Sequence, residues 1–150
     1  MSDFLIRPYE FEDLQSVLEV FESNVPYYFA PEESDDLKHY LENEIDDYFV
    51  IIHDGKIIGA GGINYDHDLI TARLSWDFMD KNIQKKGAGS VLTQYRINHV
   101  LSQKHILKLI VRTSQFADGF YKKQGFKEVN RIKDYWAKGY DMVLMEYQGV

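Results

Sequence analysis

The chain has 150 residues, enough for one domain with a sizeable core. Its formal charge of −7 provides no basic footprint for nucleic acid, no apolar run approaches the ~20 residues of a membrane helix, and the absence of cysteine excludes disulfides, thiolate metal sites and cysteine nucleophiles. With 45% hydrophobic and 15% aromatic residues the chain folds rather than staying disordered, and an N-terminus without a long apolar segment reads as cytoplasmic.

Residues 4–7 form a short strand ended by Pro8, followed by a helix with Phe11, Leu14, Val17, Leu18 and Phe21 on one face. Pro26 and Pro31 bracket a loop that carries Tyr27, Tyr28 and Phe29. A second helix starts near Ser34, a good N-cap, and buries Leu37, Tyr40, Leu41 and Ile45. Residues 48–53 and 56–65 make a hairpin around Asp54-Gly55. Its second strand contains Gly59-Ala60-Gly61-Gly62, a pattern that marks a bulge or the close approach of another group. A long strand, 69–79, completes an antiparallel meander.

The next stretch, Gln84-Lys85-Lys86-Gly87-Ala88-Gly89, joins that strand to a helix over about 87–103, whose face carries Val91, Leu92, Tyr95 and His99. A glycine-bearing turn at a helix start leaves backbone N–H groups without intrahelical acceptors, and the helix dipole adds partial positive charge there. The two features together suit a phosphate or pyrophosphate, although the six residues alone also read as a surface loop with two turn glycines. Residues 106–112 form a strand parallel to its predecessor, because a helix connects them. A short helix over 116–124 ends at Gly125, strand 126–132 follows, then a loop over 133–140 with Tyr135, Trp136 and Tyr140, and a last strand over 141–147. The fold class is α/β: a mixed sheet of about seven strands with four helices, in the order β-α-α-β-β-β-α-β-α-β-β.

The six-residue stretch fits the pattern Gln/Arg-x-x-Gly-x-Gly/Ala, which resembles the pyrophosphate signature of the GNAT superfamily of acyl-CoA-dependent N-acyltransferases. Ala117-Asp118-Gly119-Phe120-Tyr121-Lys122-Lys123-Gln124-Gly125-Phe126 resembles that family's Ala-x-x-Phe-Tyr-x-x-x-Gly-Phe motif, and residues 140–146 resemble its closing strand. The order of elements agrees along nearly the whole chain, as one N-acetyltransferase domain over residues 1–150.

The resemblance implies an acetyl-CoA site in a V-shaped opening between the strands at 69–79 and 106–112. Backbone groups of Phe78 and Met79 would pair with the pantetheine arm, and the N–H groups from Lys85 to Ser90 with the pyrophosphate. Gln84 belongs to the same signature, and Ser114 stands where family members often carry Asn. The implied reaction is direct attack of an amine on the thioester, with the Met79 N–H facing the oxyanion and Tyr121 as general acid. By its place on the apolar face of its helix Tyr121 reads as a core tyrosine, and the motif favours the catalytic role instead. Asp77, just before the carbonyl-binding end of its strand, is either the base, directly or through water, or a salt-bridged carboxylate. Tyr27, Tyr28, Phe29, Tyr135 and Trp136 are candidates for the acceptor wall, where ring faces would hold a cation; they read also as core or as a homodimer contact. The five histidines show no metal spacing. The expected acceptor is a small-molecule or peptide amine; an acyl-CoA sensor without turnover and an interaction scaffold are the alternatives.

Overall fold

The computed structural model describes residues 3–83 and 87–149. Gln84, Lys85 and Lys86 of the candidate loop therefore lie outside the described residues. The elements are β1 (Leu5–Pro8), a 3-10 turn (Phe11–Asp13), α1 (Leu14–Glu22), α2 (Glu33–Asn43), β2 (Asp47–His53), β3 (Lys56–Tyr65), β4 (Thr71–Met79), α3 (Ala88–Leu101), β5 (Lys108–Thr113), α4 (Asp118–Lys123), β6 (Phe126–Ala137) and β7 (Tyr140–Tyr147). Their order is the expected one. The seven strands form one sheet in the order β1-β2-β3-β4-β5-β7-β6, antiparallel except where α3 crosses from β4 to β5.

Each face of the sheet has its own core. On one side α3 and α4 pack Leu92, Ile97, Val100 and Tyr121 against Ile51, Ile63, Leu74, Leu109 and Val111. On the other, α1 and α2 pack Val17, Phe21, Leu37 and Tyr40 against Tyr48, Val50, Ala60 and Phe78. No described helix is long and apolar enough to cross a membrane.

Several local expectations change. Phe11 is 73% exposed, because it falls in the 3-10 turn rather than on the helix stripe. Ser34 lies inside α2 and its hydroxyl donates to Glu22; the carboxylate of Glu33 instead reaches back to the Ala30 N–H at 2.8 Å. The buried face of α3 is Ala88, Leu92, Thr93, Arg96, Ile97 and Val100, while Tyr95 and His99 lie at its edge against the Phe49 ring. Residues 133–137 continue β6 as a two-stranded arm with β7, turning at Gly139 in the left-handed region (φ 83°). That arm is mostly exposed, so it lacks the alternation that announces a strand.

The feature that positions the site is a bulge between β3 and β4. Ala60 pairs with Phe78 and Gly62 with Ser75, so Trp76 and Asp77 together face Gly61. Trp76 adopts φ 44°, rare for a bulky side chain, and its carbonyl accepts the Tyr48 hydroxyl at 2.7 Å. The extra residue bends β4 away from β5, and their pairing stops at Leu74–Val111. Gly61 is required underneath. A Cβ there would lie 2.8 Å from the Asp77 Cβ and 3.0 Å from the Arg96 guanidinium carbon, both fixed by packing. We expect Gly61→Ala to cost about 1–3 kcal/mol, as overpacking does, and to lower the Tm by several degrees. A wild-type Tm in calorimetry would contradict this account of the bulge.

Candidate active site

Where β4 and β5 separate, a cleft of about 820 Å³ opens between the α1–α2 loop, α3, α4 and the β6–β7 arm. Its size suits a cofactor or small-ligand site. At one end Phe78, Met79, Gly89, Leu92 and Phe120 line it; in the middle stand Asp77, Arg96, Tyr121 and Ser114; Tyr28, Phe29, Arg112, Trp136 and Tyr140 lie among the lining of the remainder.

One end of the cleft offers an anion-binding helix start and an open strand edge. Gly87 caps α3 with φ 90°, where a side chain would be strained, and nothing lies within 4 Å of the position a Cβ would take. The first bond of α3 runs from the Val91 N–H to the Gly87 carbonyl at 2.9 Å, so the N–H groups of Ala88, Gly89 and Ser90 have no intrahelical acceptor. The Ser90 hydroxyl is tied to α4 by the Gln124 amide at 3.0 Å. At the end of β4 the Asp80 N–H donates to the Ile58 carbonyl at 2.7 Å. The alternation of an antiparallel ladder then turns the N–H and C=O of Met79 away from β3. The Met79 carbonyl accepts from the Asn24 side chain at 2.8 Å, and the Lys81 N–H donates to the Ser23 hydroxyl at 2.9 Å. These two bonds fasten the start of the α1–α2 loop to the end of β4. The Ser114 hydroxyl accepts from the Phe116 N–H at 3.3 Å and faces the same cleft.

The centre holds a buried charge cluster. Arg96 is fully buried; its guanidinium donates to the Gly62 carbonyl at 3.1 Å and pairs with Oδ2 of Asp77. Its Nε finds no partner among the described residues. The hydroxyl of Tyr121, itself 2% exposed, donates to the same Oδ2. Burial, and then the Asp77 charge, push the Tyr121 phenol well above its usual value. Asp77 is thus salt-bridged and also faces the cleft, with its side chain 21% exposed. Tyr121 is likewise both part of the core and a lining residue. Arg96 is the residue that sequence reasoning missed. It lies on the stripe Leu92, Arg96, Val100, where a cation inside an apolar repeat signals a buried partner.

The acceptor candidates divide. Tyr28, Phe29 and Trp136 line the cleft. Tyr27 and Tyr135 lie outside its lining: Tyr27 is 60% exposed with Lys81 3.9 Å above its ring, and Tyr135 is 47% exposed and accepts from Arg112 at 2.8 Å. The Arg112 guanidinium lies 5.4 and 5.5 Å from the Tyr135 and Trp136 rings, so those faces already hold a cation of the chain itself. Across the mouth, Tyr28, Phe116 and Tyr140 contact edge to face at 6.3 and 5.8 Å, and the Tyr140 hydroxyl donates to the Pro26 carbonyl. This bridge joins the α1–α2 loop to the β6–β7 arm. Among the described residues no cluster suits a metal ion.

The family described as "Acetyltransferase (GNAT) domain" matches residues 18–148 of this chain. An N-alpha-acetyltransferase of Sulfurisphaera tokodaii is 30% identical, over 95% of this chain and 92% of that protein. The ribosomal-protein-S18-alanine N-acetyltransferase of Escherichia coli has the same fold, with a TM-score of 0.77 at 18% identity over 96% of this chain and 92% of that one. So has an aminoglycoside 6'-N-acetyltransferase complexed with coenzyme A, with a TM-score of 0.74 at 12% identity over 95% of each chain.

Because Arg96 cannot shed its proton, removing its carboxylate strands a buried charge. We expect Asp77→Leu to cost about 3–5 kcal/mol in urea unfolding, and Asp77→Leu with Arg96→Met to cost less than the single change. A single variant within about 1 kcal/mol of wild type would show that the pair is not buried as described.

Proposed function

The chain belongs to the GNAT acetyltransferase family and is an acetyl-CoA-dependent acetyltransferase; from that premise we propose that it acetylates the primary amine of a small molecule or peptide, with Tyr121 as the acid for the departing thiolate. The observation that carries the proposal is the parting of β4 and β5 after Leu74 and Val111, which opens one cleft from the N-terminus of α3 to Tyr121. The relationship to an N-alpha-acetyltransferase supports the free α-amine of a peptide as one acceptor. The occupation of the Tyr135 and Trp136 rings by Arg112 removes the reason to expect a cation to be held there.

Acetyl-CoA, when bound, supplies a thioester carbonyl, and the residues of the chain do the rest. The N–H groups of Ala88, Gly89 and Ser90 would hold the diphosphate, with Gly87 leaving the approach clear. Phe78 and Met79, on the open edge of β4, would hold the acyl arm as an added strand is held. The amine arrives beneath the Tyr28–Phe116–Tyr140 bridge, which limits the entry of water. An alkylamine is mostly protonated near neutral pH, so it sheds its ammonium proton to solvent before it attacks, and Asp77 receives the proton that the attacking nitrogen then loses, directly or through water. The Met79 N–H faces the oxyanion that develops as the amine attacks; a donor so placed is worth roughly 10²–10³ in rate. Tyr121 gives its hydroxyl proton to the leaving sulfur.

Thiol release from acetyl-CoA should be measured with three acceptors: a peptide with a free N-terminal serine, free serine, and phenethylamine. Wild type should turn over at least one of them. Tyr121→Phe, which keeps the ring, should lower kcat by roughly 10²–10⁴ and leave the CoA-induced rise in Tm unchanged. A variant whose kcat stays within a few-fold of wild type would reduce Tyr121 to a packing residue.

A further inference from the structure

Asp77 stands between the two proton transfers that acetyl transfer requires, and one of its oxygens serves both neighbours. Oδ2 accepts from Arg96 and from the Tyr121 hydroxyl. Among the described residues Oδ1 accepts no hydrogen bond, and Asp77 and Tyr121 both line the cleft. The groups facing the carboxylate are Arg96 from α3, Tyr121 from α4 and Tyr48 from β2; Tyr40 from α2 faces Arg96.

We infer that Arg96, Asp77 and Tyr121 act as one proton-transfer unit: Asp77 takes the proton of the acceptor amine and returns one to Tyr121 as Tyr121 protonates the CoA thiolate, while Arg96 is the positioning residue that holds the carboxylate between the two. The inference rests on the acid role given to Tyr121 above. The proton count closes. The N–H bond of the amine breaks as Asp77 gains a proton, the Tyr121 O–H bond breaks as the S–H bond forms, and the proton on Asp77 replaces the one Tyr121 lost. Counted from the neutral amine, one proton has moved from nitrogen to sulfur; the ammonium proton of the free substrate goes to solvent before the attack.

The order follows from the charges. In the resting site Asp77 pairs with Arg96, and Tyr121 already donates to the same oxygen. Were Tyr121 to give up its proton then, a phenolate and a carboxylate would share one buried hydrogen-bond position, which like charges disfavour strongly. Burial and the Asp77 charge hold that phenol proton more tightly than usual, whereas a thiol with a pKa of ~8.5 is the weaker base. Once Asp77 has received the amine proton the obstacle is gone, so deprotonation of the amine precedes release of the thiol. Arg96 serves this geometry because its fork reaches both Asp77 and the Gly62 carbonyl.

The test is a double-mutant cycle with the serine-initiated peptide as acceptor, or phenethylamine if that is the amine wild type takes. Asp77→Asn and Tyr121→Phe should each lower kcat by roughly 10²–10⁴, and the double variant should fall within a few-fold of the worse single one, because the residues share one task. Losses that multiply would overturn the shared unit while leaving the acid role of Tyr121 in place; an active Tyr121→Phe would remove both. For Arg96 the readout is the split between kcat and KM. Arg96→Met should lower kcat at least about tenfold and leave the KM for acetyl-CoA within a few-fold, and Arg96→Lys, which also serves if Arg96→Met does not fold, should recover part of the loss. A folded Arg96→Met variant with wild-type kcat would exclude the positioning role. A readout that needs no turnover is the phenolate absorbance of Tyr121, taken as wild type minus Tyr121→Phe. In Asp77→Asn, with Arg96 left beside it, Tyr121 should ionise at lower pH than in wild type; an unchanged titration would show that the carboxylate does not govern that proton.

Discussion

The guanidinium of Arg96 is sealed from solvent between α3 and the sheet, where an unpaired charge would cost several kcal/mol. Its anion comes from Asp77, and bringing the two together constrains three other elements. β4 must carry an extra residue so that Asp77 turns toward α3, which places Trp76 at positive φ. β3 must be bare opposite, which Gly61 provides. The Tyr48 hydroxyl must hold the displaced Trp76 carbonyl. The same bulge bends β4 away from β5 and opens the cleft. Stability of the pair and existence of the site are therefore one structural fact seen from two sides of a strand.

The cleft inherits its polarity from this arrangement. Its cofactor end is built largely from backbone, at the start of α3 and the open edge of β4, which suits a ligand recognised by diphosphate and amide groups. Its centre is a charge cluster whose members are already held by one another, Arg96 and Tyr121 on the same oxygen of Asp77. Its far end is bounded by two stretches that read as loops in the sequence and that the structure ties together. Asn24 and Ser23 fix one to β4, Gln115 holds the Gly139 turn at 2.8 Å, and Tyr140 joins the two through Pro26. The wall at this end therefore draws its members from three separated stretches of chain.

The fold was legible because its signals are local. Asp54-Gly55, Gly87 and Gly125 adopt the left-handed conformations their residue types suggest, and helix and strand periods gave the order of elements. The glycines of β3 could be read as a place of close approach, but not what approaches, since Asp77 and Arg96 are separated from them and from each other in sequence. Arg96 went unnoticed because an apolar stripe is counted by its hydrophobic members, and a cation within it reads as an interruption. Residues 133–137 read as loop because a two-stranded arm in solvent has no buried face to impose alternation. Composition likewise could not tell that Tyr28 and Trp136 turn into the cleft while Tyr27 and Tyr135 turn out, nor that Arg112 would occupy the rings assigned to a ligand.

The claim on which the account turns is that the cleft presents Tyr121 to the sulfur of the acyl donor. A crystal structure of the chain with CoA measures this directly. The account predicts the diphosphate on the N–H groups of Ala88, Gly89 and Ser90, the pantetheine arm beside Phe78 and Met79, and the sulfur within hydrogen-bonding distance of the Tyr121 hydroxyl. A sulfur held away from Tyr121, with that hydroxyl sealed behind Asp77, would contradict it.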